Sequence, residues 1–374
     1  MKRSGKPKIR SLMVILVAVV LFLAVGTLSW VVSPLAARVA MLSAALSMPE
    51  GSLSVLRERY ADLMREQAPL AVPPVSAAPP SSSASLSSAA SVVSSSSQAD
   101  FALPDIPEQY RGAVLEESFA GYEDGPFFQW KNMWLRNYTD CTNADLTAIL
   151  ETPMKMKLTN TDEPQVLIYH THATESYNPY DSAVYDRRYN WRSTDNNNNM
   201  VAVGSVLVDT LRHEGVGVIH DTSQHDYPSY DGSYHNSYDA VVRYLKEYPT
   251  IKVVLDLHRD AIERDHHLIV KPTIVLNGEK YAQVMIISNW DDGSGLIPKW
   301  RENLRFAAAL ADQLESTHPG LTRPILFSPR KYNQELSTGA LLLEFGSHAS
   351  TLEEAQRTAR LVGKGLAKTL RATM

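Results

Sequence analysis

Three short apolar runs, each followed by residues that can bind a metal or move a proton, constrain this chain most. They are VLIYHTHATES with His172 and Glu175, VVLDLHRDA with His258, and LLLEFGSHAS with Glu344. Runs of this length, rich in branched apolar residues, are typical of buried strands. A zinc hydrolase needs two or three nitrogen or oxygen ligands, an open position for water and a nearby carboxylate. The three runs contain residues of each kind and therefore predict a zinc hydrolase.

The rest of the carboxyl-terminal part alternates short β-rich segments with helical patterns from Pro164 onward. This alternation predicts an α/β fold, a three-layer domain with a largely parallel central sheet. In such sheets, sites form beyond the carboxyl ends of strands, where the three motifs fall. We expect strands at 165–169, 217–220, 252–257, 267–275, 283–288 and 340–344, and helices at 200–214, 239–247, 298–316 and 352–369.

The amino-terminal part has a different composition and divides into four predicted segments. Residues 1–10 are basic, and residues 11–33 form an uncharged, mostly apolar run that can cross a hydrocarbon core of about 30 Å. A cleaved signal peptide is the alternative. The bias of Lys and Arg places residues 1–10 in the cytoplasm and everything after the anchor outside. Residues 34–70 are predicted to be a membrane-proximal segment, and the Ser/Ala/Pro-rich residues 71–103 a disordered linker.

Cysteine content and charge exclude several classes of protein. A single cysteine, Cys141, excludes an intrachain disulfide and a cysteine-based zinc site. The net charge of −5 argues against a general nucleic-acid binder. The part of the chain after Phe101 is long enough to bury a core of its own. Residues 161–374 are predicted to be the catalytic domain, and residues 104–160 its amino-terminal extension.

Four motifs together resemble those of one known family. HTHATESY, LDLHRDA, KYNQEL and LLLEFGSHASTLEEA occur in this order behind the predicted anchor and linker. From about Trp134 to Leu370 the chain resembles the stage II sporulation protein P family of spore-forming bacteria. The resemblance implies a membrane-anchored, zinc-dependent N-acetylmuramoyl-L-alanine amidase with a fold related to the zinc carboxypeptidases. It also implies cleavage of peptide cross-links, and action in septal wall degradation and engulfment of the forespore. A lytic transglycosylase and a membrane-embedded subunit are the implied partners.

The resemblance also implies roles for individual residues. His172 and His258 correspond to zinc ligands, and Glu344 to the carboxylate at the end of the last strand. The third ligand has two candidates. Glu175 completes the HxxE spacing of zinc carboxypeptidases, whereas Asp195 has about the position of an acidic ligand that broader zinc amidases place before the following helix.

Other polar residues near the motifs are further candidates. Arg259 is expected to stabilise an oxyanion or bind a stem-peptide carboxylate, with a salt bridge as the alternative. Tyr332, Asn333 and Gln334 precede the last strand in a loop that is expected to overhang the site and contact substrate. Structural capping is the alternative for Asn333. Asp256 lies two residues before the histidine of its strand and is expected to orient that ring.

The remaining histidines are not expected to form a second metal site. His170 lies two residues before the first ligand and is expected either to line the same pocket or to be structural. His225 and His235 lie just before and within the Tyr-rich stretch YPSYDGSYHNSY, where we expect loop contacts or a glycan-facing surface. His266 and His267 fall between predicted strands.

The expected chemistry is amide hydrolysis. Zinc lowers the pKa of its water toward about 7, and Glu344 is expected to take the water proton and return it to the leaving amine. A buried ion pair with Arg259 or Arg330 is the alternative for Glu344. Three functions stay open at this point. They are an amidase that cuts between muramic acid and L-alanine, a zinc peptidase restricted to cell-wall peptide bonds, and a non-catalytic wall-binding scaffold.

Overall fold

The computed structural model describes residues 105–158, 163–265 and 267–373. The predicted cytoplasmic tail, membrane anchor, membrane-proximal segment and linker, which end at residue 103, lie outside the described residues, as does His266. Among the helices that are described, none has both the length and the apolar character needed to cross a bilayer.

Along the described chain, helices separate groups of one to five strands. The strands are β1 (Arg111–Glu117), β2 (Phe127–Trp130), β3 (Met133–Asn137), β4 (Val166–Tyr169), β5 (Val184–Asp186), β6 (Val218–His220), β7 (Val253–Asp260), β8 (Glu263–Asp265), β9 (Leu268–Leu276), β10 (Glu279–Ala282), β11 (Val284–Asn289), β12 (Ile325–Ser328) and β13 (Gly339–Ser347). The α-helices are α1 (Asn143–Glu151), α2 (Met200–His213), α3 (Ser233–Glu247), α4 (Trp300–Thr317) and α5 (Leu352–Arg371).

Within the described residues, eight strands form the main sheet, in the order β2-β3-β12-β11-β13-β7-β4-β6. The pairs β2–β3 and β11–β13 are antiparallel, and the other five pairs are parallel. The strands β4, β7 and β13 are parallel neighbours, so their carboxyl ends meet at one edge of the sheet. This edge carries the three chemical motifs.

Helices cover both faces of the main sheet because successive strand residues point to opposite sides. Ile168 of β4 and Leu255 of β7 belong to the large core that α2, α4 and α5 complete. Their neighbours Leu167 and Val254 pack on the opposite face against Val241 of α3. The arrangement is a mixed α/β fold in which the sheet lies between helices.

A second sheet was not predicted from the sequence. In the described chain it has the order β10-β9-β1-β5, with β8 also paired to β9. We expected residues 267–275 to extend the central sheet, but β9 instead pairs in parallel with β1. The physical reason is that β1 comes from the segment before residue 160, which offers β9 a partner strand far away in sequence. Lys271 of β9 is fully buried and pairs with Asp181 and Glu354 at 2.6 and 2.7 Å, which connects this sheet to α5.

Helix ends follow local capping rules. Thr351 and Glu354 form a capping box at the start of α5, and the side chain of Asn199 accepts a hydrogen bond from the Val201 N–H at the start of α2. The helix α3 begins at Ser233, six residues before the predicted start at 239, directly after Gly232 with φ +87°. Part of the Tyr-rich stretch is therefore helical, and Tyr234 at the start of this helix lies 6.4 Å from His258, measured between ring centroids, at the carboxyl edge of the main sheet.

Candidate metal centre

Three side chains from two motifs meet at the carboxyl edge of the main sheet. His172 Nδ1 lies 3.6 Å from Oε1 of Glu175, and His258 Nδ1 lies 3.6 Å from Oε2 of the same carboxylate. One ligand atom from each residue lies within 4.8 Å of the other two. The three side chains are between 1 and 7% exposed. Two imidazoles and one carboxylate are a donor set that Zn²⁺ accepts in catalytic sites.

Strand register explains why the two motifs meet. β4 and β7 run in parallel, with Tyr169 paired to Asp256, so the turn after β4 lies beside the end of β7. Within that turn, the backbone N–H of Glu175 donates to the carbonyl of His172 at 3.1 Å. The HxxE spacing therefore brings both side chains toward His258, because one turn of backbone separates them.

Each imidazole also has an oxygen partner on its other nitrogen. His172 Nε2 lies 3.1 Å from the Ser233 hydroxyl, and His258 Nε2 lies 3.0 Å from Oδ1 of Asp256. Asp256 itself accepts hydrogen bonds from the backbone N–H and the hydroxyl of Thr171, at 2.8 and 2.6 Å. Partners of this kind orient metal-binding histidines and leave the opposite nitrogen for the metal. The position predicted for Asp256 agrees with this geometry.

Charge in the centre supports binding of a cation. Burial would raise the pKa of Glu175, but the charge of Arg259 and the two neighbouring histidines hold that pKa well below its usual range. Burial would lower the pKa of His258, but the Asp256 carboxylate outweighs it and raises the pKa well above its usual range. Two buried carboxylates thus favour positive charge at His258, which either a proton or a metal ion can supply.

Glu344 lies next to the centre on the neighbouring strand. In the parallel pair β7–β13 it is the register partner of His258, so both side chains point to the same face of the sheet. Its Oε2 atom is buried and has no hydrogen-bond partner. Burial and the charge of Asp260 raise the pKa of Glu344 well above its usual range. This environment favours the protonated carboxyl group, whereas a cation bound by the neighbouring residues would favour the carboxylate, which can accept a proton.

The guanidinium of Arg259 contacts backbone carbonyl groups. Its guanidinium donates to the carbonyl oxygens of Ser176, Trp191 and Asp260, at 2.8, 2.9 and 3.4 Å. Its backbone N–H donates to Oε2 of Glu175 at 3.2 Å. Because these carbonyls occupy the guanidinium, the geometry gives Arg259 a positioning role and does not favour the predicted contact with an oxyanion or a stem-peptide carboxylate. It does not form the alternative ion pair with Glu344 either.

The three residues predicted to contact substrate differ in burial and in their hydrogen-bond partners. Gln334 is buried, accepts a hydrogen bond from the Asn289 N–H and donates to the Ile287 carbonyl, so it supports the end of β11. Asn333 has φ +55° and donates to the Tyr234 carbonyl, which agrees with the structural alternative. Tyr332 is half-buried with its ring 5.6 Å from that of Tyr234, so it is the most exposed of the three, and its contact with substrate stays a prediction.

Asp195, the alternative third ligand, does not join the metal-binding group. It is exposed and accepts hydrogen bonds from the backbone and side chain of Asn197, both at 2.9 Å, and from the Asn198 side chain at 2.6 Å. Its contacts organise the loop before α2. Within the described residues, only His172, Glu175 and His258 form a group with metal-ligand spacing.

The other histidines lie in ordinary structural or surface positions. His170 faces α2, where its Nε2 is 2.8 Å from Nε2 of His220. His225 is buried 3.0 Å from Asp221, whereas His235 is an exposed residue of α3 and His267 is exposed as well. Among the described residues, no second group with metal-ligand spacing is present.

The sequence analysis did not identify the individual aromatic residues that surround the centre. The ring of Tyr230 stacks on His172 with centroids 4.7 Å apart, and Tyr234 lies 5.4 Å from His172 and 6.4 Å from His258. We call Tyr230, Tyr234 and Tyr332, all half-buried, the aromatic rim. The density of tyrosines in YPSYDGSYHNSY was the available signal, but spacing alone does not show which of them reach the metal centre.

Solved amidases share a distant likeness with this chain. N-acetylmuramoyl-L-alanine amidase AmiC2 of Nostoc punctiforme is 12% identical with a TM-score of 0.35, covering 57% of this chain and 99% of the other. Ami1 from Mycobacterium smegmatis is 12% identical with a TM-score of 0.33, covering 57% and 100%. At these TM-scores we draw no conclusion from either likeness.

Sequence comparison is more informative. Stage II sporulation protein P of Bacillus subtilis (strain 168) is 30% identical to this chain over 214 residues, which are 54% of this chain and 50% of that protein. The chain thus matches about half the length of this curated relative. The family model described as stage II sporulation protein P matches residues 91–367, well over half of the chain. The match includes all three motifs of the metal centre, and the chain belongs to the stage II sporulation protein P family.

Proposed function

We propose that this protein is a zinc-dependent peptidoglycan hydrolase, an N-acetylmuramoyl-L-alanine amidase that releases stem peptides from glycan strands. The observation that carries the proposal is the convergence of His172, Glu175 and His258, with Glu344 beside them on the next strand. Membership of the sporulation family supports peptidoglycan as the substrate. Endopeptidase activity on peptide cross-links is a second activity that the same site would permit, since both bonds are amides.

Zinc fits the residues that are present. His172 and His258 would bind it through Nδ1 and Glu175 through its carboxylate, because Ser233 and Asp256 occupy the Nε2 side of the two rings. Bound zinc would polarise the scissile carbonyl and make water more acidic. The buried site would also exclude bulk water, which strengthens these electrostatic interactions.

Glu344 would transfer the proton. It would accept a proton from the attacking water as the water oxygen bonds to the carbonyl carbon of the muramoyl group. The bond from that carbon to the L-alanine nitrogen then breaks, and Glu344 would return the proton to the nitrogen. The products are a carboxylate on the glycan and a stem peptide with a free amino terminus. A positioned acid–base group typically contributes about 10²- to 10⁴-fold in rate.

The cellular setting is part of the proposal. The apolar run at residues 11–33 would anchor the chain in the cell membrane, with the Ser/Ala/Pro-rich linker at 71–103 extending the catalytic part into the wall outside. The protein would act in septal wall degradation and in engulfment of the forespore. A lytic transglycosylase and a membrane-embedded subunit would be its partners, because complete removal of wall material requires cleavage of glycan strands as well as peptides.

The test is product analysis with the full-length chain in detergent. Purified protein would be loaded with zinc and incubated with peptidoglycan, beside a Glu344→Gln variant that keeps the three ligands. We expect mass spectrometry to find stem peptides with free L-alanine amino termini, released about 10²- to 10⁴-fold more slowly by the variant. Fragments cut only at peptide bonds would instead identify a zinc peptidase, and no release by a folded, zinc-loaded chain would favour the wall-binding scaffold.

A further inference from the structure

Arg192 lies beside the metal centre although no motif predicted it. Its backbone pairs with that of Glu175 in an isolated antiparallel bridge, and its Nη2 is 4.0 Å from Oε1 of the Glu175 carboxylate. Its side chain is 36% exposed, whereas that of Glu175 is 7% exposed. Arg192 therefore extends from the buried centre to the solvent, where a substrate would approach.

Hydrogen bonds from Nη1 fix the position of the Arg192 guanidinium. Its Nη1 donates to Oδ2 of Asp226 at 2.9 Å and to the hydroxyl oxygen of Thr174 at 3.1 Å. The Asp226 side chain is fully buried and also accepts a hydrogen bond from the Thr174 hydroxyl at 2.6 Å. The Arg192 guanidinium carbon lies 4.6 Å from the ring centroid of Tyr230, which in turn stacks on His172. These contacts fix the plane of the guanidinium relative to the metal ligands.

The opposite edge of the guanidinium is available to a ligand. Among the described residues, no acceptor forms a hydrogen bond with Nε or Nη2 of Arg192, since both of its side-chain hydrogen bonds use Nη1. The Nε and Nη2 groups of an arginine form a planar pair of donors that can bind one oxygen or a carboxylate. Because Nη2 is the nitrogen closest to Glu175, this edge lies next to the proposed zinc ligands.

We propose that Arg192 donates hydrogen bonds from this edge to the carbonyl oxygen of the scissile amide, an inference that rests on the proposed amidase function. The oxygen gains negative charge when water adds to the carbonyl carbon. A fixed cationic donor stabilises that charge more than it stabilises the neutral carbonyl, and so it lowers the barrier. Asp226 and Tyr230 are then positioning residues for Arg192. This is the role that the sequence analysis gave to Arg259.

A purely structural role predicts a different result for a conservative substitution. Lysine at position 192 would keep a positive charge for Asp226, but it lacks the planar pair of donors. If Arg192 only neutralises Asp226, Arg192→Lys should behave as the wild type. If Arg192 contacts the reacting oxygen, the variant should lose activity although it retains its fold and its zinc.

The experiment compares full-length Arg192→Lys with wild-type protein and with Arg188→Lys as a matched control. Arg188 also pairs with an aspartate, Asp186, at 2.6 Å, and its guanidinium carbon lies 4.4 Å from the ring centroid of Tyr110, but its side chain is 53% exposed. We expect Arg192→Lys to lower kcat for stem-peptide release about 100-fold with KM within about threefold, and Arg188→Lys to leave both unchanged. Zinc content should be equal in all three proteins.

Binding of a phosphinate analogue gives a readout that does not depend on turnover. In this probe a tetrahedral phosphorus replaces the scissile carbonyl carbon, so that its oxygens carry the charge of the transition state. Isothermal titration should show about 100-fold weaker binding to Arg192→Lys than to wild type or Arg188→Lys. Arg192→Gln, which keeps a donor for Asp226 but has no charge, should lose as much and serves as a second variant if Arg192→Lys is unstable.

The outcomes separate the inference from the proposed function. Wild-type kcat and wild-type phosphinate affinity in a folded Arg192 variant would overturn the role of Arg192 while the amidase function stands. Failure of the zinc-loaded wild-type protein to release stem peptides would overturn the amidase function, and the inference with it.

Discussion

Two pairs of histidines lie on opposite sides of the main sheet and have opposite surroundings. His170, His172 and His258 are buried, and His220 is half-buried. His170 and His220 face α2, with their Nε2 atoms 2.8 Å apart. Burial, together with the charge of His220, lowers the pKa of His170 to about 3, and burial lowers that of His220 to about 4. His172 and His258 instead flank the Glu175 carboxylate, and the pKa of His258 is raised well above its usual range by Asp256 despite burial.

The comparison shows that buried carboxylates, rather than burial itself, distinguish the metal centre. Both pairs are formed by a histidine at the end of β4 and another on a neighbouring strand. Near His170 and His220 the interior favours neutral rings, which serve packing. Near His172 and His258, carboxylates favour positive charge, which a metal ion can supply. Four predictions test this contrast.

The largest effect is expected from removal of one ligand. We expect His258→Ala to reduce zinc from about one ion per chain to a trace and to reduce stem-peptide release by about 10³-fold or more. His220→Gln changes the other pair and should retain zinc and activity. Metal analysis of both purified variants checks this, and loss of zinc from His220→Gln alone would reverse the assignment of the two pairs.

A smaller effect is expected when the partner of a ligand changes. Asp256→Asn keeps the shape of the side chain but removes the charge beside His258 Nε2. We expect zinc affinity to fall by about 10- to 100-fold, because the ring is less well oriented and less basic. Chelator competition measures this affinity, and an unchanged value would show that Asp256 matters only to the hydrogen bonds of Thr171.

The pH dependence of stability should depend on the neutral pair. His220 has a folded pKa of about 4 against an ordinary value of 6.5, and the groups around it are His170, Asp221, Arg212 and Asp209. A lowered pKa means that the folded state disfavours protonation of His220. Its contribution to the free energy of unfolding is therefore complete above about pH 6.5 and declines as pH falls toward 4. Between pH 7 and pH 5 we expect a loss of about 2 kcal/mol in the free energy of unfolding.

Urea titration of wild type and His220→Gln at the two pH values measures this contribution. The variant should show a smaller loss between pH 7 and pH 5, because it has no group to protonate at this position. His235→Gln is the control, since His235 is exposed on α3. If the free energy of unfolding depends on pH in the same way in wild type, His220→Gln and His235→Gln, then His220 does not make the expected contribution to stability.

The smallest effect is expected at the alternative ligand. Asp195→Ala removes hydrogen bonds to Asn197 and Asn198 on an exposed loop. We expect zinc affinity to be unchanged and the free energy of unfolding to change little, because the lost contacts lie on an exposed loop. A clear loss of zinc would make Asp195 a ligand and would contradict the assignment of Glu175.

Five strands of the main sheet were predictable because they are mostly apolar runs with clear flanking signals, namely β4, β6, β7, β11 and β13. The strands β2, β3 and β12 were not predicted. The strand at 340–344 and the helix at 352–369 correspond to β13 and α5, with ends shifted by a few residues. The second sheet was not predictable, since β1 and β9 pair over more than 150 residues and periodicity carries no information about distant partners. The expected start of α3 was late because the Tyr-rich sequence around Ser233 has turn-forming residues.

The grouping of the three candidate metal ligands was easier to predict than their surroundings. His172, Glu175 and His258 follow or end strongly apolar strands, and their side-chain chemistry has few other uses in that pattern. Arg192 and Tyr230 lie in segments without regular periodicity, and only the folded chain shows that they contact the ligands. The contacts of the Arg259 guanidinium could not be predicted for a related reason. Its neighbour His258 shows that Arg259 is near the site, but the sequence does not show the direction of its side chain.

The most direct test is a crystal structure of the zinc-loaded protein with anomalous diffraction measured at the zinc absorption edge. The account predicts one anomalous peak, bounded by Nδ1 of His172, Nδ1 of His258 and the carboxylate of Glu175, with Glu344 nearby but not a ligand. A peak bound by Asp195 or by the pair His225 and Asp221, or no peak between the two predicted histidines, would contradict it.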